Sequence, residues 1–305
     1  MNKKNKSDYL SSLKSIETEN FLDRIFYRPI GYQIAKTIRN TGITPNVVTI
    51  VSIFIGISAG FFWWFPYDLT YAVFGCLALI VANILDCVDG QLARLTGIKS
   101  EVGRILDGFA GDLWFLALYI AFIHRLNTQF QTPYDPWIYI LVVLVSAYSH
   151  FNQAAITDYY KTLHHFFISK EKGKEFENSQ SVFKRYEKMK KGVNRIFTWG
   201  YVFYTKNQER QTPELQKMLA RLKDKFGDEL PEDVRIGFRA KSGRLMPLLN
   251  FNTFNGRSII LFISVIFNVL WLYFVWEIVV LNIVKFVVIN RHEHTCKNFG
   301  KTLNP

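Results

Sequence analysis

Residues 86–94 read DCVDGQLAR and close an apolar run that begins near Thr70. Residues 103–107 read GRILD and open the next apolar run, and Asp112 follows shortly after. A carboxylate beside hydrocarbon is costly, so it normally pairs with a base, binds a cation or lines a pathway. The two stretches therefore predict a helical membrane bundle with an acidic site where two of its helices meet.

Several windows of the sequence are apolar enough to cross a bilayer, which takes about 20 residues. The chain has 305 residues, 49% of them hydrophobic, and its apolar residues are concentrated in long runs. The runs cover residues 46–65, 70–85, 113–123, 137–156 and 259–289. The last run is too long for one untilted span, so we expect two helices that begin near Thr253 and meet near Trp276 and Glu277. The predicted fold class is an all-α polytopic membrane bundle of about six transmembrane helices, with five as the alternative.

The distribution of charge predicts the orientation of the bundle. The formal net charge is +12, and Lys and Arg are concentrated in residues 1–45, 94–104, 161–257 and after Arg291. Cytoplasmic loops of membrane proteins carry such an excess of Lys and Arg. We therefore expect both termini and the acidic motif on the cytoplasmic side of a bacterial cytoplasmic membrane, which requires an even number of spans. Positive charge in these positions indicates a membrane surface, and we expect no nucleic-acid partner.

The alternation of apolar and charged segments divides the chain into five parts. We expect a polar tail and an amphipathic juxtamembrane helix in residues 1–44, and four transmembrane helices with the acidic motif in residues 45–160. A helical cytoplasmic insertion is expected in residues 161–252. Two transmembrane helices follow in residues 253–291, and a basic cytoplasmic tail in residues 292–305.

Local signals refine two of these parts. Residues 1–19 are polar and Lys-rich, which predicts disorder, whereas apolar residues recur at helical spacing in residues 21–38. Such a helix suits the headgroup layer, or alternatively packs on the insertion, and Pro29 is expected to kink or split it. Within the insertion, Thr-Pro-Glu at 212–214 predicts a helix start and Gly227 its end. The three cysteines show no metal-binding spacing.

Five residues of the acidic motif share one face of a helix, because they recur at i, i+3, i+4, i+7 and i+8. They are Asp86, Asp89, Gly90, Ala93 and Arg94. Gly103 and Asp107 share a face of the following helix, and residues 95–102 suffice for a tight reversal between the two. The two acidic faces are therefore expected to converge at the cytoplasmic membrane boundary.

The residue types at this point suit diphosphate chemistry. Ligands that offer only oxygen favour hard cations such as Mg²⁺ or Mn²⁺, and a pair of these ions can bridge phosphate oxygens. Gly90 and Ala93 lack bulk and would admit a nucleotide, and Arg94 can offer a bidentate fork to a phosphate. The alternative is a buried salt-bridge cluster in which Arg94 and Arg104 neutralise the aspartates.

The motif resembles the signature of the CDP-alcohol phosphatidyltransferase family, D-x-x-D-G-x-x-A-R-x8-G-x3-D-x3-D. Seven of the eight signature positions match with the same spacing: Asp86, Asp89, Gly90, Ala93, Arg94, Gly103 and Asp107. The sequence Pro45-Asn46-x-x-Thr49 at the entry to the first span is similar to that family too, as is the plan of six spans. Residues 161–252 lie outside the resemblance and look like an insertion.

The resemblance implies a metal-dependent phosphotransferase of phospholipid synthesis, which transfers a phosphatidyl-type group from a CDP-linked donor to an alcohol and releases CMP. By resemblance, Asp86, Asp89 and Asp107 would hold a pair of Mg²⁺ or Mn²⁺ ions on the diphosphate. The residues expected along the CDP moiety are Gly90, Ala93, Arg94, Asn46 and Thr49. The expected partners are a CDP-linked lipid such as CDP-diacylglycerol, a small alcohol or alcohol phosphate, membrane lipids, and a second copy of the chain in a homodimer.

The sequence departs from the family pattern at the fourth aspartate. The pattern expects it at the position of Gly111, and Asp112 follows by one. In the family this residue helps to bind metal and deprotonates the acceptor hydroxyl, so we assign both roles to Asp112, with Asp107 as its catalytic neighbour. One residue of shift turns a side chain by about 100°, so Asp112 would need a π-bulge near Gly108 and Gly111 to reach the site. A water or His150 could serve instead, and the alternative function is a catalytically impaired relative that binds the nucleotide lipid or acts as an assembly subunit.

Polar residues on later spans are candidates for lining the acceptor pocket: Ser149, His150, Asn152, Gln153, Asp158, Arg257 and Lys285. Basic residues near the expected cytoplasmic edge would make its rim positive: Lys99, Arg104, Lys161, His164 and His165. A positive rim favours an anionic acceptor such as inositol phosphate. Glycerol phosphate, inositol, serine and an amino-alcohol stay open, as does a CDP-amino-alcohol donor with a diacylglycerol acceptor. A metal-ion transporter is a weaker alternative, because the carboxylates lie at one membrane edge.

Overall fold

The computed structural model describes residues 3–98, 100–129, 136–169, 171, 173, 176–227 and 229–303. These residues form helices joined by turns, and they include no strand. The α-helices are α1 Lys3–Ser12, α2 Arg28–Ile38, α3 Pro45–Trp64, α4 Leu69–Thr96, α5 Glu101–Gln129, α6 Pro136–Ile168, α7 Ser179–Lys188, α8 Val193–Gln211, α9 Pro213–Phe226, α10 Glu232–Gly243, α11 Met246–Leu249, α12 Phe254–Ile266, α13 Leu270–Val275 and α14 Leu281–Thr302. Among the predicted rim residues, Lys99 and the side chain of Arg104 lie outside the described part.

Five helical segments are long and apolar enough to cross a membrane, so the protein is a multi-pass membrane protein and the predicted fold class is confirmed. They are Pro45–Trp64, Leu69–Thr96, Leu106–Thr128, Trp137–Ile168 and Leu270–Thr302. Five is the number that the sequence left as the alternative to six. The sixth expected span corresponds to α12, whose 13 residues rise only about 20 Å.

The break in the last apolar run lies at Asn268, and the prediction of a break near Trp276 and Glu277 is wrong. Asn268 has a φ of 57°, a left-handed conformation that Asn tolerates better than most residues. Its side-chain oxygen accepts a hydrogen bond of 2.6 Å from Arg125, which fixes the turn. At Trp276 the chain continues through a π-helical turn into α14, and the indole nitrogen donates to the carbonyl of Gly256 on α12.

The chain forms two compact units. The first unit comprises residues 1–151 and 254–279, and the second comprises residues 152–253 and 280–305. The five-part division expected from the sequence stays a prediction about how the chain is organised.

Small residues allow α3 and α5 to pack closely in the first unit. A Cβ at Gly56 would lie 2.2 Å from the Trp114 ring, and one at Gly60 would lie 2.8 Å from the carbonyl oxygen of Ala117. Small residues at helix interfaces let backbones approach in membrane proteins. Since the acidic motif spans α4 and α5, this packing sets where the two helices can meet.

The N-terminal residues differ from the sequence expectation. The prediction of disorder in residues 1–19 is wrong for the described part, because α1 is a helix and Ser12 is fully buried. The ring of Tyr9 packs edge-on against Tyr32 of α2 at 5.4 Å. The amphipathic helix is present, and a π-helical turn at Asp23–Tyr27 precedes Pro29, as expected for a residue that cannot continue the regular hydrogen-bond ladder.

The second unit confirms the predicted helix start and end in the insertion. The helix α9 begins at Pro213 and is followed by Gly227, whose φ of 63° suits a residue without a side chain. The start is capped from another helix, since Glu293 of α14 accepts hydrogen bonds from the backbone N–H groups of Glu214 and Leu215. The side chain of Thr212 instead donates to the carbonyl of Gln208.

Candidate active site

Three carboxylates from α4 and α5 converge in the first unit. Asp86, Asp89 and Asp107 each offer one oxygen, and these oxygens lie within 4.8 Å of one another. Asp89 is buried, Asp86 is half-buried and Asp107 is exposed. The two acidic faces expected to converge do so, and we call these three residues the acidic cluster.

The donor set of the acidic cluster suits a hard divalent cation. Oxygen-only ligands are typical of Mg²⁺, Mn²⁺ and Ca²⁺ sites, and three like charges at this distance repel one another unless a cation lies between them. The graded exposure leaves one side of the cluster open to a ligand. The residues therefore fit the ions that the resemblance implies.

A short reversal brings the two helices together. Gly97, with a φ of 74°, ends α4 and donates its N–H to the carbonyl of Ala93 at 3.0 Å. Ser100 then caps α5, since its hydroxyl oxygen accepts a hydrogen bond of 2.9 Å from the N–H of Gly103. The reversal falls within residues 95–102, which were expected to suffice for it, because α4 ends at Thr96 and α5 begins at Glu101. Asp107 therefore lies less than two turns into α5.

Asn46 at the start of α3 holds this reversal. Its side-chain oxygen accepts a hydrogen bond of 3.0 Å from the Ser100 hydroxyl. A Cβ at Gly103 would lie 2.1 Å from the same oxygen, which is why the position takes glycine. The contact gives Asn46 a structural role at the site, whereas its expected contact with CDP stays a prediction.

Thr49, one turn along α3, orients the buried carboxylate. Its hydroxyl donates to Asp89 at 2.6 Å, and the Thr49 side chain is itself buried. A charge-assisted hydrogen bond of this length is among the stronger ones in proteins. The α3 entry sequence is thereby joined to the acidic cluster.

The N-terminal segment lies against the basic end of the motif. The Arg94 Nε donates a short hydrogen bond to the carbonyl oxygen of Ser12. Gln91 donates at 3.2 Å to both the Ser12 hydroxyl and the carbonyl of Arg28. Sequence reasoning missed Ser12, and nothing in the polar tail marks it as a contact of the motif. Gly90 leaves room for the Arg94 guanidinium, since a Cβ there would lie 3.1 Å from an Arg94 nitrogen.

Asp112 is not among the carboxylates that lie within 4.8 Å of one another in the described chain. The helix α5 is regular from Glu101 to Gln129, so the π-bulge considered for this stretch is absent. No atom of the described residues lies within 4 Å of a Cβ built at Gly111. The position where the family has its fourth aspartate therefore has space for a side chain.

The first unit contains a second charged group, which the sequence did not predict. Glu277 is fully buried, and one of its oxygens lies 3.5 Å from Arg257 Nε and 3.6 Å from His150 Nδ1. Arg257 is also buried, and the Phe115 ring packs on His150 with ring centres 4.2 Å apart. We call Glu277, Arg257 and His150 the buried ion-pair cluster. A signal existed, because Arg257 and Glu277 carry charge at the start and in the middle of an apolar stretch.

The other predicted acceptor residues are distributed between the two units. Ser149 is buried in the first unit, and Asn152 in the second accepts a hydrogen bond of 3.0 Å from Asn207. His164 and His165 are buried, and His164 is 2.7 Å from the Ser242 hydroxyl. The expectation that both histidines lie at an exposed rim is therefore wrong. The remaining members are the buried Gln153 and Lys285, the half-buried Lys161 and the exposed Asp158.

The second unit contains another compact group of metal-type ligands, His292, Glu293 and Cys296, also within 4.8 Å of one another. The His292 ring stacks on Tyr160, and its Nδ1 lies 3.3 Å from the Cys296 sulfur. Since Glu293 caps α9 and His292 contacts Tyr160 and Cys296, the three residues have roles in helix packing. Reading cysteine spacing alone missed it, although His and Cys four residues apart share a helix face.

Comparisons with known proteins point to the region that carries the acidic cluster. The sequence model of the CDP-alcohol phosphatidyltransferase family matches residues 42–174. An archaetidylinositol phosphate synthase of Pyrococcus horikoshii is 37% identical over 75 residues, which is 25% of this chain and 38% of that protein. A phosphatidylinositol phosphate synthase of Mycobacterium tuberculosis is 30% identical over 110 residues, 33% of this chain and 49% of that protein.

The chain thus spans half or less of the length of these curated relatives, and the matches fall short of whole proteins. The family match covers α3, α4 and α5 completely and includes every member of the acidic cluster. The seven signature residues lie inside it. By motif and by family match, residues 42–174 of this chain are similar to the CDP-alcohol phosphatidyltransferase family.

Proposed function

We propose that this protein is an integral-membrane phosphotransferase of phospholipid synthesis. It transfers a phosphatidyl-type group from a CDP-linked donor, in the first instance CDP-diacylglycerol, to a small alcohol and releases CMP. The observation that carries the proposal is the convergence of Asp86, Asp89 and Asp107 within 4.8 Å, on two helices inside the family match.

Asp86, Asp89 and Asp107 would hold Mg²⁺ or Mn²⁺, and we propose two ions. Bound there, such ions neutralise a diphosphate and stabilise charge that develops in a displacement at phosphorus. The chain's own contribution is to fix the ligands in place. Thr49 orients Asp89 through its hydrogen bond, and the contacts of Asn46 and Ser100 fix the start of α5 that carries Asp107.

The nucleotide would lie along the surface formed by Gly90, Ala93 and Arg94, next to α3. Gly90 leaves room for the Arg94 guanidinium, and the Arg94 side chain is held by Ser12. A guanidinium fixed through one nitrogen still offers its remaining donors to a phosphate. The N-terminal segment would thus support the donor site.

The reaction is a displacement in which the acceptor hydroxyl attacks the lipid-side phosphorus. A new phosphorus–oxygen bond forms, and the bond from that phosphorus to the bridging oxygen of the diphosphate breaks, leaving its electron pair on CMP. The hydroxyl proton goes to a base. We propose Asp112 for this role with Asp107 beside the reacting groups, while the regular course of α5 keeps a water as the alternative.

For the acceptor we propose an alcohol phosphate, with inositol phosphate as the first candidate. Support now comes from the two relatives, which are named as synthases of inositol phosphate lipids. His164 and His165 are buried and therefore do not contribute to a basic rim. Glycerol phosphate, inositol, serine and amino-alcohols remain to be compared in the same assay.

The proposed location is a bacterial cytoplasmic membrane, with both termini and the acidic cluster on the cytoplasmic side. The excess of Lys and Arg in residues 1–45 and after Arg291 supports this orientation. A homodimer stays a prediction, to be tested by the mass of the purified protein in detergent.

A second candidate function is a catalytically impaired relative that binds the nucleotide lipid or acts as an assembly subunit. The observation that favours it is the shift of the fourth aspartate from position 111 to Asp112 on a regular helix. Both candidates predict binding of a CDP-lipid, and only the enzyme predicts turnover.

The test is release of CMP by the purified full-length protein from CDP-diacylglycerol, with inositol phosphate and the other alcohols as acceptors. We expect release that requires Mg²⁺ or Mn²⁺ and that falls by about a thousandfold in Asp89→Asn, because a metal ligand contributes several kcal/mol to the transition state. Glu232→Gln, an exposed acid at the start of α10, is the matched control and should keep full activity. Binding of the CDP-lipid with no release under any acceptor would favour the second candidate.

A further inference from the structure

A basic pocket lies in the second unit, outside the family match. Its volume is about 670 Å³, within the usual range for small-molecule sites. It is formed where the end of α10 faces α14, and we call it the basic pocket. The side chains that line it include Lys241, Arg244, Arg291, His294 and Asn298.

Three positively charged side chains from two segments line this one cavity. Lys241 and Arg244 come from the end of α10, and Arg291 comes from α14. None of the described residues that line the pocket is acidic. Such a set favours an anion, and Arg and Lys together are the usual partners of phosphate oxygens.

The acid next to these cations, Glu293, points away from the basic pocket, and neighbouring side chains hold Lys241 and His294 in place. Glu293 caps α9 on another face of α14, where it accepts from the N–H groups of Glu214 and Leu215. The Lys241 ammonium lies 5.1 Å from the centre of the Phe299 ring, which restrains the side chain through a cation–π contact. Asn298 donates to His294 at 2.8 Å and orients the imidazole.

The position of the basic pocket along α14, relative to the expected membrane, indicates the source of the anion. Phe286 is the last exposed large apolar side chain of the described helix. Arg291 follows five residues later, about 8 Å along the axis. This rise is similar to the thickness of the headgroup layer on each side of a bilayer. The pocket therefore begins where α14 leaves the hydrocarbon.

We infer that the basic pocket binds the phosphate of an anionic phospholipid headgroup, separately from the proposed donor and acceptor chemistry. Basic pockets at the cytoplasmic ends of transmembrane helices are suited to such headgroups. A free phosphate ester shares the chemistry and would come from solution instead of the bilayer. The two sources differ in whether a soluble ester can replace the lipid.

The test is native mass spectrometry of the full-length protein in detergent, titrated with phosphatidylglycerol or with phosphatidylcholine. We expect one phosphatidylglycerol to be retained in preference, and its affinity to fall about tenfold in Arg244→Gln/Arg291→Gln, since two charge-assisted contacts are lost. Lys190→Gln/Lys191→Gln removes the same charge from exposed positions outside the pocket and should bind like the wild type. Lys241→Gln serves as a second variant if the double variant is poorly folded.

The outcomes separate the possibilities. Equal affinity for the two lipids, or equal loss in the pocket and control variants, would overturn the inference. Displacement of the lipid by millimolar glycerol phosphate would overturn the lipid assignment and give the pocket to a soluble ester. CMP release in mixed micelles of detergent and phosphatidylcholine should be unchanged in Arg244→Gln/Arg291→Gln. A negative result in the lipid-binding experiment therefore leaves the proposed function standing. Absence of CMP release likewise leaves the lipid-binding inference standing.

Discussion

The first unit contains two clusters of charged side chains within apolar sequence, and the charge of each is balanced in a different way. The acidic cluster gathers three carboxylates, and its members range from buried to exposed. The buried ion-pair cluster surrounds one carboxylate, Glu277, with Arg257 and His150 and is closed to solvent. A charge in a membrane protein is either balanced by the protein itself or left for a ligand to balance. From this comparison we propose that the buried ion-pair cluster is structural and that the acidic cluster is the functional site.

The largest effect is expected from breaking the buried ion-pair cluster. Glu277→Ala leaves the Arg257 guanidinium buried beside no carboxylate of that cluster, which costs about 3–5 kcal/mol. The measurement is the thermal unfolding midpoint of the protein in detergent. CMP release per folded molecule should stay close to that of the wild type.

The matched control removes both charges. Arg257→Met with Glu277→Leu should recover most of the lost stability, because well-packed apolar residues replace a buried ion pair at little cost. If Glu277→Ala unfolds at the wild-type midpoint yet abolishes CMP release, the comparison is reversed and Glu277 belongs to the catalytic machinery.

A smaller effect is expected at Asp112, and it sharpens the boundary of the acidic cluster. If Asp112 is the base, Asp112→Asn should lower CMP release by about a hundredfold, the low end for general base catalysis. Gly111→Asp restores the family spacing, and the space around position 111 accommodates a side chain. In the Asp112→Asn background this substitution should recover activity. Full activity of Asp112→Asn alone would instead assign the proton to water.

A structural feature of this protein can be predicted from the sequence when the residues that determine it lie close together in the chain. The acidic motif and the bounds of α9, set by Pro213 and Gly227, follow from residues within a few turns of one another, and both were predictable. The cap of α9 was not predictable, because it comes from Glu293 on α14. The turn at Asn268 was not, because it depends on Arg125, 143 residues away. The helix α1 was missed for the same reason, since Ser12 is ordered by Gln91 and Arg94. Local periodicity carries no information about such partners.

The buried ion-pair cluster shows this limit in the candidate site. The sequence predicts His150 and Arg257 as acceptor residues, because polar residues on apolar spans indicate function. It predicts their shared partner, Glu277, only as the junction of two helices. Only the hairpin of α12 and α13 brings Arg257 and Glu277 together, and its turn could not be located from composition.

The smallest effect is expected at Thr49, which orients one member of the acidic cluster. Thr49→Val removes the hydrogen bond to Asp89 and keeps the shape of the side chain. A net loss of about 1 kcal/mol predicts CMP release lowered by roughly fivefold to tenfold. Thr49→Ser keeps the hydroxyl and should retain most of the activity. Equal rates for the two variants would mean that the hydrogen bond does not position the carboxylate for catalysis.

The most direct test of the metal site is Mn²⁺ binding by the purified full-length protein, measured from the loss of the free-ion signal in electron paramagnetic resonance. We predict saturable binding in the wild type that disappears in Asp86→Asn/Asp89→Asn and persists in Glu232→Gln. Binding that is the same in all three proteins would show that the carboxylates of α4 and α5 do not hold the cation.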